Sequence, residues 1–239
     1  MTNSKKRYFQ TLDKSDHRMK NYLFTLLALL SINCFSQELT KYQLDSTVAV
    51  SIPANYTLTD TMGVKAITAE IDNGLIIVTT AQNQGKIELN IQDEAGLIKS
   101  YKGFIVGVLQ SQKGVLVQQE ILEKNGLKYI RATYKATQEG EKHIRHCLVL
   151  CVNHTIYTMN FWELESMDIE TEDRIADVRE RFFTSLEFPK NLTIKDQLHG
   201  SYEDSIKDDG AYILGEYMGY GIMLLLVIGI IIWISKKVK

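Results

Sequence analysis

The chain is short of proline, cysteine and net charge. Its 239 residues include two prolines, three cysteines and 27 basic against 29 acidic side chains, for a net charge of −2. That near-neutrality excludes a nucleic-acid binder working through overall basicity. Two prolines beside 15 glycines and 45% apolar residues exclude a disordered or collagen-like chain. Gly-Xaa-Ser-Xaa-Gly, a phosphate-cradling glycine loop and His-Glu-Xaa-Xaa-His are all missing, so no catalytic motif stands out. No internal repeat is present either.

What charge there is lies unevenly. Residues 1–36 hold six basic residues (Lys5, Lys6, Arg7, Lys14, Arg18, Lys20) and two acids (Asp13, Asp16), and Lys236, Lys237 and Lys239 close the chain. Setting these aside leaves 18 basic and 27 acidic residues from Gln37 to Ser235, so the middle is about nine charges negative between positive ends. From Met19 a short basic start precedes an apolar run, Tyr22 to Leu30, that ends in small and polar residues. The run is too short to span a bilayer and has the form of a cleavable signal peptide, expected to be cut after Ser36. Met1 to Arg18 is polar and charged, which makes Met19 the expected start. The alternatives are acylation at Cys34, disfavoured by the bulk of Ile32 and Asn33, and an uncleaved N-terminal anchor.

Met218 to Ile234 carries no charge. As a helix this stretch covers about 25 Å, close to a hydrocarbon core of ~30 Å, with Tyr217, Tyr220 and Trp233 as interfacial residues. A transmembrane helix is therefore expected over 218–235, and the basic tail 236–239 places the C-terminus in the cytoplasm. The expected location is the cell membrane, single-pass, with residues 37–217 extracytoplasmic (periplasmic). Gly215 and Gly219, four apart, could form a close helix contact.

Residues 37–188 read as one domain and 189–217 as a polar linker, with Pro53 and Pro189 nearly bracketing the folded part. Val48 to Ile52 reads as a strand, and Asp72-Asn73-Gly74 as the turn between strands Val64–Ile71 and Leu75–Thr80. Leu97, Tyr101, Phe104, Ile105 and Val108 recur at helical spacing, predicting a helix over about 91–109. A four-stranded meander follows, turning at Asn125-Gly126, Glu139-Gly140 and Asn153-His154. A last helix is capped by Ser166 or Asp168 and buries Ile175, Val178 and Phe182. Cys147 to Val152 is nearly continuously apolar, which predicts cover on both faces. The fold class is thus α+β: an antiparallel sheet with helices on both faces, plus one C-terminal transmembrane helix.

The motif Val50-Ser-Ile-Pro53-Ala-Asn-Tyr56, the helix ending near Gly107, the hairpins at Gly126 and Gly140, the return strand Asn153 to Met159 and the closing Phe182 to Phe188 resemble, in order and spacing, PsbP-like and DcrB-like domains. The resemblance covers most of Asp45 to Phe188 and implies a small α/β/α sandwich acting as an extrinsic, accessory or partner-binding module. The C-terminal apolar run departs from many relatives, which are soluble or lipid-anchored.

Candidate chemistry is thin. His143, His146, Cys147, Cys151 and His154 are residue types that ligate zinc, yet on a strand Cys147 and Cys151 stand about 13 Å apart, too far for one ion or a disulfide. Alternation likewise denies either thiol a convergent base. The acids Glu163, Glu165, Asp168, Glu170, Glu172 and Asp173 lack the rhythm of a calcium loop and suit a solvated helix start. Gly103 and Gly107 are expected to let their helix approach the sheet. No catalytic residue, cofactor or metal is expected. Tyr157, Phe161 and Trp162 remain as partner-binding candidates set against a core role. The expected function is a non-enzymatic, membrane-anchored accessory or partner-binding domain of the bacterial envelope, whose partners are the membrane and an envelope protein, with no nucleic acid. The alternatives are an envelope hydrolase or metal-dependent enzyme with a noncontiguous site, and a subunit of a membrane complex.

Overall fold

The computed structural model describes residues 38–61, 63–82, 91–198 and 211–220. The expected leader, and the expected span beyond Tyr220, lie outside the described residues. All described residues but Glu38 belong to the unit Leu39–Lys239. Strands β1 (Leu39–Gln43) and β2 (Ala49–Pro53) form an antiparallel pair of their own. Then come β3 (Thr57–Thr61), β4 (Val64–Ile71), β5 (Gly74–Gln82), helix α1 (Glu94–Ser111), the meander β6 (Val115–Lys124), β7 (Leu127–Gln138), β8 (Glu141–Val152) and β9 (Thr155–Leu164), and helix α2 (Ile169–Thr184). A 3-10 turn (Ile194–Gln197) follows, and residues 211–220 are helical.

The seven-stranded sheet runs β3-β4-β5-β9-β8-β7-β6, with every neighbouring pair antiparallel. The meander turns where the sequence predicts, and the reason is local. Asn125 and Gly126 sit at φ 52° and 79°, Glu139 and Gly140 at 54° and 88°, and Asn153 and His154 at 48° and 57°. Positive φ at both central residues of a two-residue loop is the twist-matched hairpin turn, favoured by Asn and Gly. Helix α1 starts where Asp93 accepts from the Gly96 amide at 2.7 Å, and α2 where Asp168 accepts from Thr171 at 3.0 Å.

The sheet is covered on both faces, as the run in β8 predicts. Cys147, Val149 and Cys151 pack with Ile130, Ala132 and Tyr134 of β7 against Leu97, Tyr101, Phe104, Ile105 and Val108 of α1. Leu148, Leu150 and Val152 face the other way, with Met159 and Phe161, onto Ile175, Val178 and Phe182 of α2 and Val48, Val50 and Ile52 of β2. Each such side chain contributes roughly 1.5–3 kcal/mol when fully buried. An Ala49–Glu187 bridge, with N–O distances of 3.0 and 2.9 Å, ties the β1-β2 pair to the chain beyond α2.

Two findings correct the expected linker. First, Gln197 is fully buried. The β7-β8 ladder stops at Ile130–Val149, and in place of the next rung the Gln197 amide accepts from Lys128 N (2.8 Å) and donates to Lys128 O (2.7 Å) and Cys151 O (2.9 Å). Tyr101 Oη completes the set by accepting from Cys151 N at 3.0 Å. The domain therefore reaches at least to Leu198, ten residues past the expected boundary at Phe188. Hydrophobic periodicity cannot reveal a polar side chain that substitutes for a strand.

Second, residues 211–220 lie on α1. Ala211 Cβ is 3.6 Å from where a Cβ on Gly103 would stand. A Cβ on Gly107 would overlap the Tyr212 carbonyl oxygen and come within 2.7 Å of Glu216 N; one on Gly215 would lie 2.9 Å from the Phe104 carbonyl carbon; one on Gly219 would lie 2.8 Å from Ser111 Cβ. Stepping by four along both helices in the same direction, these contacts define parallel backbone-to-backbone packing of the kind small residues permit. Ala211 and Met218 are buried in the same cluster as α1's apolar face. Gly107 thus serves the helix pair, where the sequence assigns it to the sheet. Among the described residues no helix is long and apolar enough to cross a membrane.

Candidate functional site

The aromatic candidates are core residues. Tyr157 and Phe161 are at most 1% exposed and Trp162 is 4% exposed. The Tyr157 hydroxyl donates to Asp45 Oδ2, and Phe161 packs on Phe182 with ring centroids 6.2 Å apart. None of the three is on the outer surface, which is the core role weighed against partner binding. The cysteines are equally withdrawn: Cys147 and Cys151 are buried and not joined in a disulfide, and burial pushes both thiols up to about 12, leaving them protonated and poorly nucleophilic. Among the described residues no three His, Cys, Asp or Glu side chains gather as a metal site. The acidic run also disperses: Glu163 is buried, Glu165 pairs with Lys135, and Asp168 caps α2.

Sequence reasoning missed two buried polar sets on the sheet. On the α1 face, Arg145 of β8 is 1% exposed and stacks on the Trp162 ring, its guanidinium carbon 3.7 Å from the centroid. Its donors reach Gln112 Oε1 (2.5 Å), just past α1, and Gln138 Oε1 (2.6 Å), and Tyr134 Oη donates to the same Gln112 oxygen at 2.8 Å. Burial lowers the Arg145 pKa, opposed by the neighbouring Tyr134. Beside it, the β4-β5 turn and the β7-β8 hairpin flank a cleft of about 540 Å³ lined by Glu70, Glu139, Glu141, His143 and Trp162. Burial, then the nearby Arg145, lowers the His143 pKa.

On the α2 face, Thr133, His146 and Glu163 stand in line on β7, β8 and β9. Thr133 Oγ1 is 3.0 Å from His146 Nδ1, and His146 Nε2 is 3.3 Å from Glu163 Oε1. Hydroxyl, imidazole and carboxylate in that order have the connectivity of a nucleophile, base and orienting acid. The carboxylate, however, is held by Arg179, whose Nη1 reaches both its oxygens at 2.6 and 2.7 Å. Burial pushes the Glu163 carboxyl up, but the His146 hydrogen bond and the Arg179 charge outweigh it and hold the group below the usual range. Neither the cleft above nor a second hollow, between α2 and β6-β7 and lined by Tyr129, Arg131 and Phe183, includes Thr133 or His146. The set is suited to fixing α2 on the sheet.

What the domain offers outward is an edge. β6 is the last strand of the large sheet, ten residues long, and its first six residues are all exposed. Val115, Leu116 and Val117 are 69%, 39% and 56% exposed. The opposite edge, β3, is half as long, with Thr and Asp dominating its sequence Thr57-Leu-Thr-Asp-Thr61. A long apolar edge is what soluble proteins normally shorten, charge or cover. Its polar neighbours in the sequence, Gln118 to Glu120, hide it from a hydrophobicity scan.

No family model matches the chain, and no curated protein does. Among solved structures it is similar to the cyanobacterial PsbP of Synechocystis, at 13% identity and a TM-score of 0.46, over 66% of this chain and 96% of that one. LpqN, involved in cell envelope biogenesis of Mycobacterium tuberculosis, is 12% identical with a TM-score of 0.40, over 64% and 91%. A protein of Bacteroides thetaiotaomicron is 12% identical with a TM-score of 0.37, over 65% and 50%. The α+β class itself stands on the chain's own sheet and its two covered faces.

Proposed function

We propose that the chain is a membrane-tethered accessory domain that holds a protein partner on the extracytoplasmic side. The observation that carries this reading is the β6 edge, whose outer side pairs with no strand among the described residues and whose Val115–Val117 are exposed, while Cys147 and Cys151 are buried and Glu163 is held by Arg179. Support for the tether comes from the signal-like leader, the uncharged run Met218–Ile234 and the lysines that follow it.

The test is site-specific photocrosslinking in native membranes. A photoreactive residue at Gln119 should trap a discrete partner, while one at Leu58, exposed on the opposite edge, should not. Replacing Val115 and Val117 by Lys should abolish the Gln119 product with the circular dichroism spectrum unchanged. Equal labelling from both edges refutes the partner reading. A reporter fused after Lys239 that is active outside the cytoplasm refutes the topology.

A further inference from the structure

The manner in which the β6 edge takes a partner follows from its shape and charge. We infer that β6 binds an extended, basic and apolar peptide segment by strand addition, as an eighth strand of the large sheet; this rests on the partner-binding reading above and specifies its chemistry.

Four observations converge. β6 is bonded to β7 from Leu127–Lys124 to Lys135–Val115. Among the described residues no strand pairs with its other side. That leaves a row of main-chain donors and acceptors of the kind strand-adding domains offer. Register is regular from Gln118 to Lys124, a stretch of seven residues, and the irregularity lies between Leu116 and Gln118. A docked strand therefore has seven continuous positions, about 23 Å at ~3.3 Å each, before the bulge ends pairing.

The side chains flanking that row define the guest. Val115, Leu116 and Val117, at the end of the strand where the register shifts, are exposed and offer apolar contact to a guest there. Glu120 is exposed in the paired stretch and Glu123 further along it. Glu123 bonds Lys128 (3.0 Å), and Glu120 stands across from Arg131 of β7 with its side chain exposed to a guest. Gln37 to Ser235 is about nine charges negative, which favours a basic partner over longer range. Cross-strand pairs of opposite charge and of apolar residues each contribute modestly, so recognition is distributed along the strand.

The probe is an eight-residue peptide of alternating lysine and valine, acetylated and amidated, offered to the full chain in detergent. Its counterpart carries N-methyl groups on alternate residues, which keeps charge and side chains and removes backbone donors. The unmodified peptide should slow hydrogen exchange of amides in Gln118–Lys124 and bind at least tenfold more tightly than the methylated one. Val117→Lys should weaken it several-fold. Equal binding of the two peptides means charge attraction alone and overturns strand addition, as does exchange protection confined to residues outside β6. If neither peptide binds, the proposal also falls. A Gln119 crosslink in membranes together with any of these negative results leaves the partner reading standing and the binding mode refuted. Absence of that crosslink refutes the reading itself.

Discussion

Replacing Gln197 by Ala should be among the most damaging single changes in this domain, although it removes a polar side chain from what the sequence presents as a linker. The bond from Lys128 N (2.8 Å) disappears, as do those of the two amide protons, which are shared among Lys128 O (2.7 Å), Cys151 O (2.9 Å) and Tyr101 Oη (3.1 Å). A net hydrogen bond is worth about 1 kcal/mol, and a buried backbone group left unpaired costs about 1–3 kcal/mol. Lys128 O keeps the Tyr101 hydroxyl at 2.9 Å, so the loss falls mainly on Lys128 N, with Cys151 O giving up the Gln197 donor. Allowing for water entering the gap, the loss is about 3 kcal/mol. At roughly 2–4 °C per kcal/mol for a domain of this size, Tm should fall by about 9 °C. Gln197→Glu should do no better, since it places a carboxylate against two carbonyl oxygens. The measurement is urea and thermal unfolding of the full chain in detergent, with Asp196→Ala as the local control, because Asp196 only caps the exposed turn at Thr193. A loss below about 1 kcal/mol for Gln197→Ala, or one equal to the control, would refute the argument that this amide stands in for a rung of the sheet.

Two further predictions follow from the buried groups. The Glu163 carboxyl is depressed in the folded protein, so its stabilisation is complete above the unfolded value of ~4.3 and is lost as pH falls through the folded value. Acidification from pH 6 should therefore destabilise the native protein more than Glu163→Gln. Arg179→Met, which strands that carboxylate, should cost about 3 kcal/mol at pH 7, and a parallel pH profile for native and E163Q proteins would count against the pairing. Cys147 and Cys151, with thiols pushed up to about 12, should resist maleimide at pH 7 until the protein unfolds; mass spectrometry showing stoichiometric labelling of the native state would contradict their burial.

The elements most legible in the sequence were those with strong local signals. Asn-Gly at 125–126 and the Asn-His turn at 153–154 demand positive φ, and the helical stripe of α1 and the run Cys147–Val152 each match a face of the core. Strands β1 and β3 escaped notice because Leu-Thr-Lys-Tyr-Gln and Thr-Leu-Thr-Asp-Thr carry little apolar alternation, their burial being low. Arg145, Gln112 and Gln138 come from β8, the end of α1 and β7, so their meeting depends on register across strands that no spacing encodes. The β6 edge was invisible for a related reason: whether a strand is central or terminal is a property of topology, set here by β5 inserting beside β9.

The parallel clamp of residues 211–220 on α1 bears on how fast and how tightly the partner proposed above would be found. A domain on a free chain of thirty residues would swing through a wide volume and lose that freedom on every encounter. Were the chain beyond Tyr220 anchored in a bilayer, as proposed above, the clamp would remove that swing before any partner arrives. In that arrangement the search would be confined to two dimensions, and part of the entropy that binding otherwise forfeits would already be gone. A single bulky side chain at Gly107 or Gly215 would restore the swing, weakening capture without touching the strand that performs it.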